Sequence, residues 1–545
     1  MNILNIISII FTLFVVACTV VTMRYDIQMF QLNSYRYSRY FRWWWPTNIF
    51  THRKWCPLVI LLGAPFWLLN LAPVIATAAD ASSTRVAMLL GKLNLSLTII
   101  AIIIAVKSIK KELTEKYKTP IVFTMRVKRL YATALTLVAL IMAAAAVINV
   151  AYVPLAAVLT LLFSNFVVLA ANIINTPIEK AITRHYYNDA KRIIASHKNL
   201  TIIGITGSFG KTSTKNYLAR VLSEKYNVLV TPGNFNTLLG VVRTIREQLR
   251  PYHQVFIVEM GAKQPGDIKE ICDLVHPQIG ILTAVGEMHL ETFKSFENIQ
   301  KTKFELIDSL PADGLAVLNH DSQGISSYKG QKSTCETLTY GVDNDTTVLN
   351  AQNIVYGANG VSFTLGGEEY ESKLLGRGNL LNILAAIAVA NRLQVPVNKQ
   401  KAAISRLQPV EHRLSMRRAN GITVLDDAYN SNPSGAAMAI EVLKNFNVGE
   451  ENKRIIITPG FVEMGQKQFE ANKTLGNRIA EGCDYAIIVN ETNREAIKSG
   501  IEEKKFDNNK TYFAANLNDA HAHLATILKA GDVVLYENDL PDNFK

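Results

Sequence analysis

The chain has 545 residues, and 57 lysines and arginines against 45 aspartates and glutamates give it a formal net charge of +12. The first 200 residues hold 21 basic and 6 acidic residues, so the other 345 have a net charge of −3. A nucleic-acid enzyme would carry positive charge on its catalytic part, so this distribution indicates membrane topology and argues against a nucleic-acid partner. The 5 cysteines form no CxxC pair, which argues against a zinc site or a disulfide framework.

Five apolar stretches begin the chain, each about long enough to cross a hydrocarbon core of ~30 Å. They lie near residues 3–23, 57–79, 86–106, 131–153 and 154–175. The first is interpreted as a permanent span and not as a signal peptide, because its apolar run is long, lacks a basic start and is followed by further spans. We therefore predict an α-helical membrane region of five helices over residues 1–176.

Charged residues in the loops predict the orientation of these spans. Residues 24–56 hold six basic residues and residues 107–130 hold eight, whereas the alternate loops are nearly bare. Because basic loops stay inside, we predict a multi-pass protein of the cell membrane with its N-terminus outside and its catalytic part cytoplasmic. An aromatic belt at the membrane interface is predicted from Trp43, Trp44, Trp45 and Trp55.

The segment 177–199 connects the spans to the rest of the chain. Its residues 178–197 have the pattern of an amphipathic helix. We predict that this helix lies at the membrane surface and tethers the catalytic part close to the bilayer.

A glycine-rich loop follows the connector. Residues 200–206 are apolar and β-branched, which predicts a buried strand, and residues 211–226 have helix-period apolar positions. Gly207 and Gly210 lie between them, where they allow backbone conformations closed to other residues. The free N–H groups at the start of the helix then point toward an anion, so the loop is interpreted as a phosphate-binding loop.

Two residues at the start of that helix favour ATP. Lys211 supplies a charge for the outer phosphates, and the Thr212 hydroxyl is placed to bind magnesium. The spacing departs from GxxxxGK[ST], since Ile205 stands where that pattern has its first glycine. The alternative is a glycine-rich turn with a lone lysine.

The predicted strands that follow end in polar residues. Strand 254–260 carries Glu259, a candidate magnesium ligand, because ligands bind at the carboxyl ends of parallel strands. Strand 278–285 runs into His289, and a helix over 295–310 contains Lys303.

Segment 321–373 is polar and β-rich, and we expect hairpins that cover one edge of the sheet. The helix that opens near residue 376 places Asn379 and Asn382 on one face.

The chain alternates strands and helices again from residue 410, which predicts a second doubly wound α/β domain. Strands are predicted at 422–425, 454–458, 485–489 and 533–536, and helices at 435–445 and 467–480. Arg413 and the carboxylates at 426 and 427 could face the nucleotide across a cleft between the two domains. The domain limits are thus 200–409 and 410–545.

With these motifs in order, the sequence resembles the Mur ligase family over about residues 200–540, and within it the MurF type. The motifs are TGSFGKTS, TPGNFN, VEMGA, the block from MHLETF to KTKFE, GRGNLLNILAA, EHR and DDAYNSNP. The resemblance implies a P-loop ATP-binding middle domain and a Rossmann-like C-terminal domain.

The family's functional residues carry over to positions of this chain that match its motifs. The nucleotide would contact Gly207, Ser208, Gly210, Lys211, Thr212, Ser213, Asn379, Asn382, Arg413 and Asp427. Magnesium would be held by Thr212, Glu259, His289 and Lys303, where Lys303 aligns with a lysine that is N-carbamylated in most of the family. The catalytic residues would be Lys211, His289, Lys303 and Arg413, and the substrate would contact Asn234, Asn236, Tyr429 and Asn430.

The implied reaction joins D-alanyl-D-alanine to a muramoyl tripeptide at the expense of ATP, through an acyl phosphate. A UDP-linked and a lipid-linked acceptor both stay open, and the lipid bilayer and other cell-wall enzymes are further candidate partners. Two alternatives remain: a membrane ligase that forms another amide, similar to poly-γ-glutamate synthases, and a catalytically idle membrane scaffold.

Overall fold

A computed structural model describes residues 3–44, 119–288, 290–330, 334–343, 346–429 and 432–540, with residues 103, 106, 107 and 110 between the first two ranges. The chain forms two compact units. The first contains Met1–Ile182 with Pro541–Asn543, and the second contains Thr183–Leu540 with Phe544–Lys545.

Long apolar helices form the first unit. Its helices are α1 (Ile3–Leu32), α2 (Tyr37–Trp44), α3 (Met125–Ile148), α4 (Val153–Leu162) and the first part of α5 (Ser164–Ser196). In the part of the chain that the structure describes, two helices are long and apolar enough to cross a membrane, at Ile9–Leu32 and Met125–Ile148. The predicted spans at 57–79 and 86–106, apart from residues 103 and 106, lie outside the described residues, as do Trp45 and Trp55 of the aromatic belt.

The predicted span at 154–175 is not one straight helix. Helices α4 and α5 meet at Phe163 with a bend of 82°, so the pair is at most one broken span. The Ser164 hydroxyl at this bend donates a hydrogen bond of 2.7 Å to a carboxylate oxygen of Asp26 on α1, and both residues are buried. Burying a polar group costs free energy unless it is hydrogen-bonded, so this bond stabilises both buried groups. Hydropathy alone does not reveal this partner, because Asp26 is far away in sequence.

The connector is not a separate helix either, because residues 177–196 continue α5 without a break. Within the second unit, Ala190 is fully buried in the hydrophobic core of the catalytic part. Asp189 pairs with Arg246 at 2.8 Å, and the Arg246 guanidinium lies 4.2 Å from the ring centre of Tyr186. Protein therefore covers part of the apolar face that we predicted to lie on the membrane surface.

A seven-stranded parallel sheet forms the middle part of the chain, with strand order β2-β3-β1-β4-β5-β6-β7. Its strands are β1 (Thr201–Thr206), β2 (Val228–Val230), β3 (Val255–Glu259), β4 (Ile279–Leu282), β5 (Leu315–Asn319), β6 (Glu336–Gly341) and β7 (Leu349–Asn350). The neighbours of β1 are β3 and β4, so the chain runs to one side of β1 first and then to the other. Ligands bind at such a switch point, next to the carboxyl ends of the strands.

Helices cover both faces of this sheet. They are α6 (Lys211–Leu222), α7 (Leu238–Gln248), α8 (Asp267–Val275), α9 (Leu290–Phe293), α10 (Phe296–Asp308), α11 (Gln323–Ser326), α12 (Gly376–Arg392) and α13 (Val397–Ser405). Helices α6 and α12 pack together on one face, where twelve consecutive residues of α12 from Asn379 to Ala390 are buried. The predicted elements 200–206, 254–260, 278–285 and 295–310 are present as β1, β3, β4 and α10.

The prediction for residues 321–373 was partly wrong. Strands β6 and β7 lengthen the main sheet by parallel pairing, instead of covering its edge as hairpins. A separate antiparallel sheet follows, formed by β8 (Gln352–Gly357), β9 (Gly360–Leu365) and β10 (Glu368–Ser372). Strand patterns in sequence do not specify the partner, because pairing partners are chosen in the tertiary fold.

The C-terminal part is the predicted second α/β domain, with a six-stranded sheet of order β11-β12-β16-β13-β14-β15. Its strands are β11 (Ser415–Ala419), β12 (Ile422–Asp427), β13 (Arg454–Thr458), β14 (Tyr485–Val489), β15 (Thr511–Ala514) and β16 (Val533–Glu537). Its helices are α14 (Pro433–Lys444), α15 (Gln468–Gly482), α16 (Arg494–Glu503) and α17 (Leu517–Ile527). Only β11 pairs antiparallel among these strands. Elements β11, α16, β15 and α17 were not predicted.

Candidate active site

The glycine-rich loop joins β1 to α6 as predicted. Gly210 has a φ of 82°, and a Cβ at this position would lie 2.7 Å from the side-chain oxygen of Asn382. At Gly207 a Cβ would collide with the Thr283 hydroxyl. Only glycine fits both places, because the loop passes so close to β4 and α12. The loop is therefore held in a single path that ends at the N-terminus of α6, where free N–H groups favour an anion.

The ammonium group of Lys211 lies inside this loop. It donates hydrogen bonds to the carbonyl oxygens of Gly207 at 2.6 Å and Ser208 at 3.1 Å. Burial lowers the pKa of Lys211 to about 8, with Glu259 acting in the opposite direction and Arg413 lowering it further. The Arg413 side chain of the C-terminal domain thus lies close enough for its charge to affect Lys211.

Glu259 ends β3 and is almost fully buried, with 1% of its surface exposed. One of its carboxylate oxygens accepts hydrogen bonds from the Thr212 hydroxyl and the Asn236 amide, both at 3.1 Å. The other oxygen lies 2.9 Å from the ammonium of Lys215. Burial would raise the pKa of Glu259, but the charges of Lys215 and Lys211 outweigh it and hold that pKa below its usual value. The structure therefore brings Thr212, Glu259 and Asn236 together.

Lys215 was missed from the sequence. It lies one helical turn after Lys211, in a stretch where a lysine normally faces solvent, yet only 1% of its surface is exposed. Besides Glu259, its ammonium contacts the carbonyl oxygens of Thr231 at 2.8 Å and Gly233 at 2.7 Å. The one available indication was its spacing of four residues from Lys211, on the same face of α6.

Lys303 lies on α10 and is 4% exposed. Burial, with a smaller contribution from the charge of Lys211, lowers its pKa to about 7, although Asp267 and Glu305 act in the opposite direction. Among the residues that the structure describes, none forms a hydrogen bond or ion pair with the Lys303 ammonium. A buried amine near neutral pKa is uncharged in much of the population at pH 7 to 8, so it is available as a nucleophile. His289, predicted beside it, lies outside the described residues.

The two predicted serines serve the loop itself. The Ser208 hydroxyl donates to the carbonyl oxygen of Gly286 and accepts from its N–H, both at 2.9 Å. Ser213 is buried in the first turn of α6. Ser208 therefore ties the phosphate loop to the segment after β4, which leads to His289.

Asn379 and Asn382 lie on one face of α12 as predicted, but that face is buried against α6. The side-chain oxygen of Asn379 accepts from the Tyr217 hydroxyl at 2.9 Å, and that of Asn382 accepts from the Thr214 hydroxyl at 3.0 Å. Both oxygens thus help to pack α12 on the helix of the phosphate loop.

The C-terminal domain contributes Arg413 and Asp427 to the same place. The Arg413 guanidinium lies 4.3 Å from the ring centre of Tyr429, which is 45% exposed. Asp427 accepts a hydrogen bond of 3.0 Å from the N–H of Leu414, and burial raises its pKa to about 6 although Arg413 lowers it. Asn430 lies outside the described residues.

Residues of both domains line a small pocket. Its volume is about 100 Å³, and it is lined by the predicted nucleotide residues Gly210, Ser213, Asn379, Asn382, Arg413 and Asp427. A larger cleft of about 860 Å³ is also lined by residues of both domains, among them Phe209, Arg377 and Met438. Asn234 and Asn236 line neither of them: Asn236 contacts Glu259, and Asn234 is exposed.

The metal site is represented only in part. Over the described residues, which omit His289, the structure has no group of three histidines, cysteines, aspartates or glutamates that could hold a metal ion. Thr212 and Glu259 supply a hydroxyl and a carboxylate side by side, and such oxygen ligands suit magnesium. This donor pair fits the predicted ion.

Fold and site together define a nucleotide-binding enzyme with a P-loop in its first α/β domain and a second α/β domain across a cleft. The sequence profile of the Mur ligase middle domain matches residues 205–390, and that of the Mur ligase glutamate ligase domain matches residues 412–536.

Curated relatives agree with this class. A UDP-N-acetylmuramoyl-tripeptide–D-alanyl-D-alanine ligase of Mycobacterium tuberculosis strain CDC 1551 is 32% identical over 358 residues, which are 62% of this chain and 70% of the relative. The enzyme of that name from Buchnera aphidicola subsp. Baizongia pistaciae is 31% identical over 291 residues. In that case the match covers 52% of this chain and 62% of the relative, so the chain spans less than two thirds of its length.

A solved structure is similar as well. The crystal structure of MurF ligase from Thermotoga maritima in complex with ADP superposes with a TM-score of 0.58 at 27% identity, over 66% of this chain and 80% of that one. The chain belongs to the Mur ligase family, a family of ATP-dependent, ADP-forming ligases, and within it to the MurF type.

Proposed function

We propose that this chain joins D-alanyl-D-alanine to a muramoyl tripeptide with hydrolysis of ATP to ADP and phosphate, as a step of peptidoglycan precursor synthesis. The names of its relatives support the choice of substrates. The observation that carries the proposal is the carboxyl edge of the middle sheet, where Glu259 accepts a hydrogen bond from Thr212 of the phosphate loop and the buried amine of Lys303 lies near enough to Lys211 for its pKa to respond to that charge. A phosphate-binding and a metal-binding function need these groups in one place.

ATP would lie between the two domains. The N–H groups of Gly207, Ser208 and Gly210, with Ser213, would surround the phosphates at the start of α6. Asn379 and Asn382 would meet the base through side-chain N–H groups, because both oxygens are bonded to α6; the Asn379 nitrogen uses one of its two hydrogens on the carbonyl oxygen of Leu375 at 2.9 Å. Asp427 would hold the ribose side.

Thr212 and Glu259 would hold a magnesium ion, and His289 with Lys303 would hold a second one. Magnesium supplies positive charge to the phosphate oxygens during transfer.

Lys303 would act as a carbamate. Its uncharged amine attacks carbon dioxide, a nitrogen–carbon bond forms, and one proton is released to solvent. The product carries a carboxylate. The side chain thus changes from an amine, which is positively charged when protonated, into a negatively charged group that can bind a metal ion. The lowered pKa and burial of Lys303 support this role, because only the uncharged amine reacts.

The reaction needs no nucleophilic side chain. A carboxylate oxygen of the acceptor attacks the γ-phosphorus of ATP, the bond to ADP breaks, and an acyl phosphate forms. The amine of D-alanyl-D-alanine then attacks the carbonyl carbon and loses a proton, and phosphate leaves. Lys211 and Arg413 would stabilise negative charge on the transferred group, because the Lys211 ammonium lies in the glycine-rich loop and its pKa responds to the charge of Arg413.

The acceptor would be held by Asn234, Asn236, Tyr429 and Asn430. We further propose that the chain is a multi-pass protein of the cell membrane with five spans over residues 1–176, N-terminus outside and catalytic part cytoplasmic. The two apolar helices of the described residues support membrane insertion. The limits 200–409 and 410–545 are proposed for the middle and C-terminal domains, and 177–199 for the connector.

Phosphate release by the full chain in nanodiscs tests this proposal. The protein would receive ATP and magnesium with UDP-N-acetylmuramoyl-tripeptide and D-alanyl-D-alanine, together and singly. We expect release only when both substrates are present, and a product with one new peptide bond. Release with one substrate alone, or with neither, would contradict the proposed reaction. If the protein binds ATP but works only with a lipid-linked muramoyl peptide, the ligase assignment stands and the UDP-linked acceptor is excluded.

A further inference from the structure

Among the described residues of the middle domain, Lys215 is the most completely buried cation that the proposed reaction does not use. Its ammonium has three partners, namely the Glu259 carboxylate and the carbonyl oxygens of Thr231 and Gly233. An ammonium group has three protons, so these contacts use its full donor capacity. The side chain therefore has no donor left for a substrate, and any role must act through its partners.

The partners belong to different parts of the site. Glu259 ends β3 and lies beside Thr212, the hydroxyl at the start of α6. Thr231 and Gly233 belong to the segment 231–236, which also carries Asn236. Lys215 thus connects the helix of the phosphate loop, the end of β3 and this segment through one buried group.

Further hydrogen bonds connect Glu259 and its strand to the segment 231–236. The Asn236 amide donates to Glu259 at 3.1 Å, and the N–H of Glu259 donates to the Thr231 hydroxyl at 3.0 Å. Asn236 also approaches Gly261 closely, and its carbonyl oxygen accepts from the N–H of Gly261 at 2.7 Å. Removing the ammonium would leave Glu259 held on one oxygen only. The segment 231–236 would lose two of its bonds to α6.

We propose that Lys215 is a positioning residue that holds the Glu259 carboxylate and the segment 231–236 in one arrangement, so that the metal-bound nucleotide and the acceptor meet a preformed site. This inference rests on the proposed function, which takes Thr212 and Glu259 as magnesium ligands. Groups that fix the orientation of metal ligands typically change metal affinity or activity by about 10-fold to 100-fold when they are removed.

The test compares Lys215→Met with Lys215→Arg and with a matched control, Lys225→Met. Lys225 lies just after the C-terminus of the same helix, α6. Its ammonium also contacts two backbone carbonyls, those of Leu393 and Gln394, but the side chain is exposed and contacts no site residue. Titration calorimetry would measure the affinity of the full chain for ADP in EDTA and in magnesium. Hydrogen exchange would measure protection of segment 231–236.

In Lys215→Met we expect the gain in ADP affinity that magnesium brings to fall about 10-fold or more, while the affinity in EDTA stays within about twofold. Exchange in segment 231–236 should become faster, and kcat should fall more than the KM for ATP rises. Lys215→Arg keeps the charge and should retain part of the magnesium effect, and Lys225→Met should match the unmodified chain.

An unchanged magnesium effect in Lys215→Met, or unchanged exchange in segment 231–236, would overturn the inference. An equal loss of ADP affinity with and without magnesium would also overturn it, because it would show that Lys215 only maintains the fold. If Lys215→Met does not fold, the inference is judged on Lys215→Arg. This variant should lose part of the magnesium effect and exchange faster in segment 231–236, and no change in either quantity would overturn the inference. Failure of the proposed function would look different: the unmodified chain itself would show no magnesium effect.

Discussion

The two α/β domains hold their functional groups in different ways. In the middle domain, Glu259, Lys215 and Lys303 are 1%, 1% and 4% exposed. The C-terminal domain contributes Arg413 and Asp427, which are only partly buried, and Tyr429, which is 45% exposed. The charges of the middle domain are therefore fixed by the fold, whereas those of the C-terminal domain lie at the rim of a cleft.

This difference in burial predicts which domain contributes more to catalysis. Charges in a low-dielectric site act strongly and need no reorganisation when the phosphoryl group is transferred. Partly exposed charges are more strongly screened by water and act less. We therefore expect changes in the middle domain to affect catalysis much more than changes at the rim, and the following experiments test that ranking.

Replacement of Lys211 should have the largest effect. Lys211→Ala removes the cation nearest to the predicted phosphates, and loss of one such group costs about 10²-fold to 10³-fold in turnover. Phosphate release with saturating substrates measures this effect, and thermal unfolding checks that the fold is intact. The exposed Lys225→Ala serves as control and should keep full turnover. Normal turnover by Lys211→Ala would remove the nucleotide assignment.

Replacement of Lys303 should come next. We expect Lys303→Ala to lose about 10²-fold in activity, because the proposed carbamate is a metal ligand, and to regain part of it with acetate or bicarbonate. Phosphate release with increasing acetate measures the rescue. Lys301→Ala lies on the exposed face of the same helix and should neither lose activity nor respond.

The pKa of Lys303 predicts a matching change in stability. The unfolded chain binds this proton below about pH 10.4, but the folded chain binds it only below about pH 7, so protonation of Lys303 destabilises the fold most below pH 7. Lys303→Met should therefore raise the free energy of unfolding by on the order of 5 kcal/mol at pH 6, and by less as the pH rises toward 10. Chemical denaturation in buffer free of carbon dioxide measures both. A gain that is independent of pH would contradict the lowered pKa.

The smallest effect should come from the rim. Tyr429→Ala removes the ring beneath Arg413, and exposed contacts of this kind contribute about 0.5 to 1 kcal/mol, or roughly 2-fold to 5-fold in the KM for ATP. Tyr429→Phe keeps the ring and should behave like the unmodified chain. Steady-state kinetics distinguish the two variants. If Tyr429→Ala were as damaging as Lys211→Ala, the division between the two domains would be wrong.

Much of the fold follows from local patterns. The strands ending at Thr206, Glu259 and Thr458 are short apolar runs bounded by turn residues, and their positions in the structure match the predicted ones closely. Helix α16 was missed because its apolar positions are mixed with charged residues, and strand β15 because it is only four residues long. The bend at Phe163 was missed for another reason: the apolar run continues through it, and its polar partner Asp26 lies on another helix.

The site was predicted unevenly. Gly210, Lys211 and Thr212 are recognisable because a phosphate loop is a local arrangement of neighbouring residues. Lys215 was not recognised, since a lysine in a helix is normally solvated and its partners Thr231 and Glu259 are distant in sequence.

 Asn379 and Asn382 were expected to face the nucleotide, but the structure also uses their oxygens to pack α12 on α6. Such a second use depends on a neighbour that sequence order does not reveal.

By itself, the sequence determined the elements that arise from local chemistry: apolar helices at the start of the chain, two alternating α/β regions and a phosphate loop between a strand and a helix. These depend on hydrophobic period and on glycine conformation, which act over a few residues. Tertiary structure alone decided that Lys215 is buried on Glu259, that Lys303 has a pKa near 7 and that β6 and β7 extend the main sheet. Burial and charge pairing arise from residues far apart in the chain, so they exist only once the fold has formed.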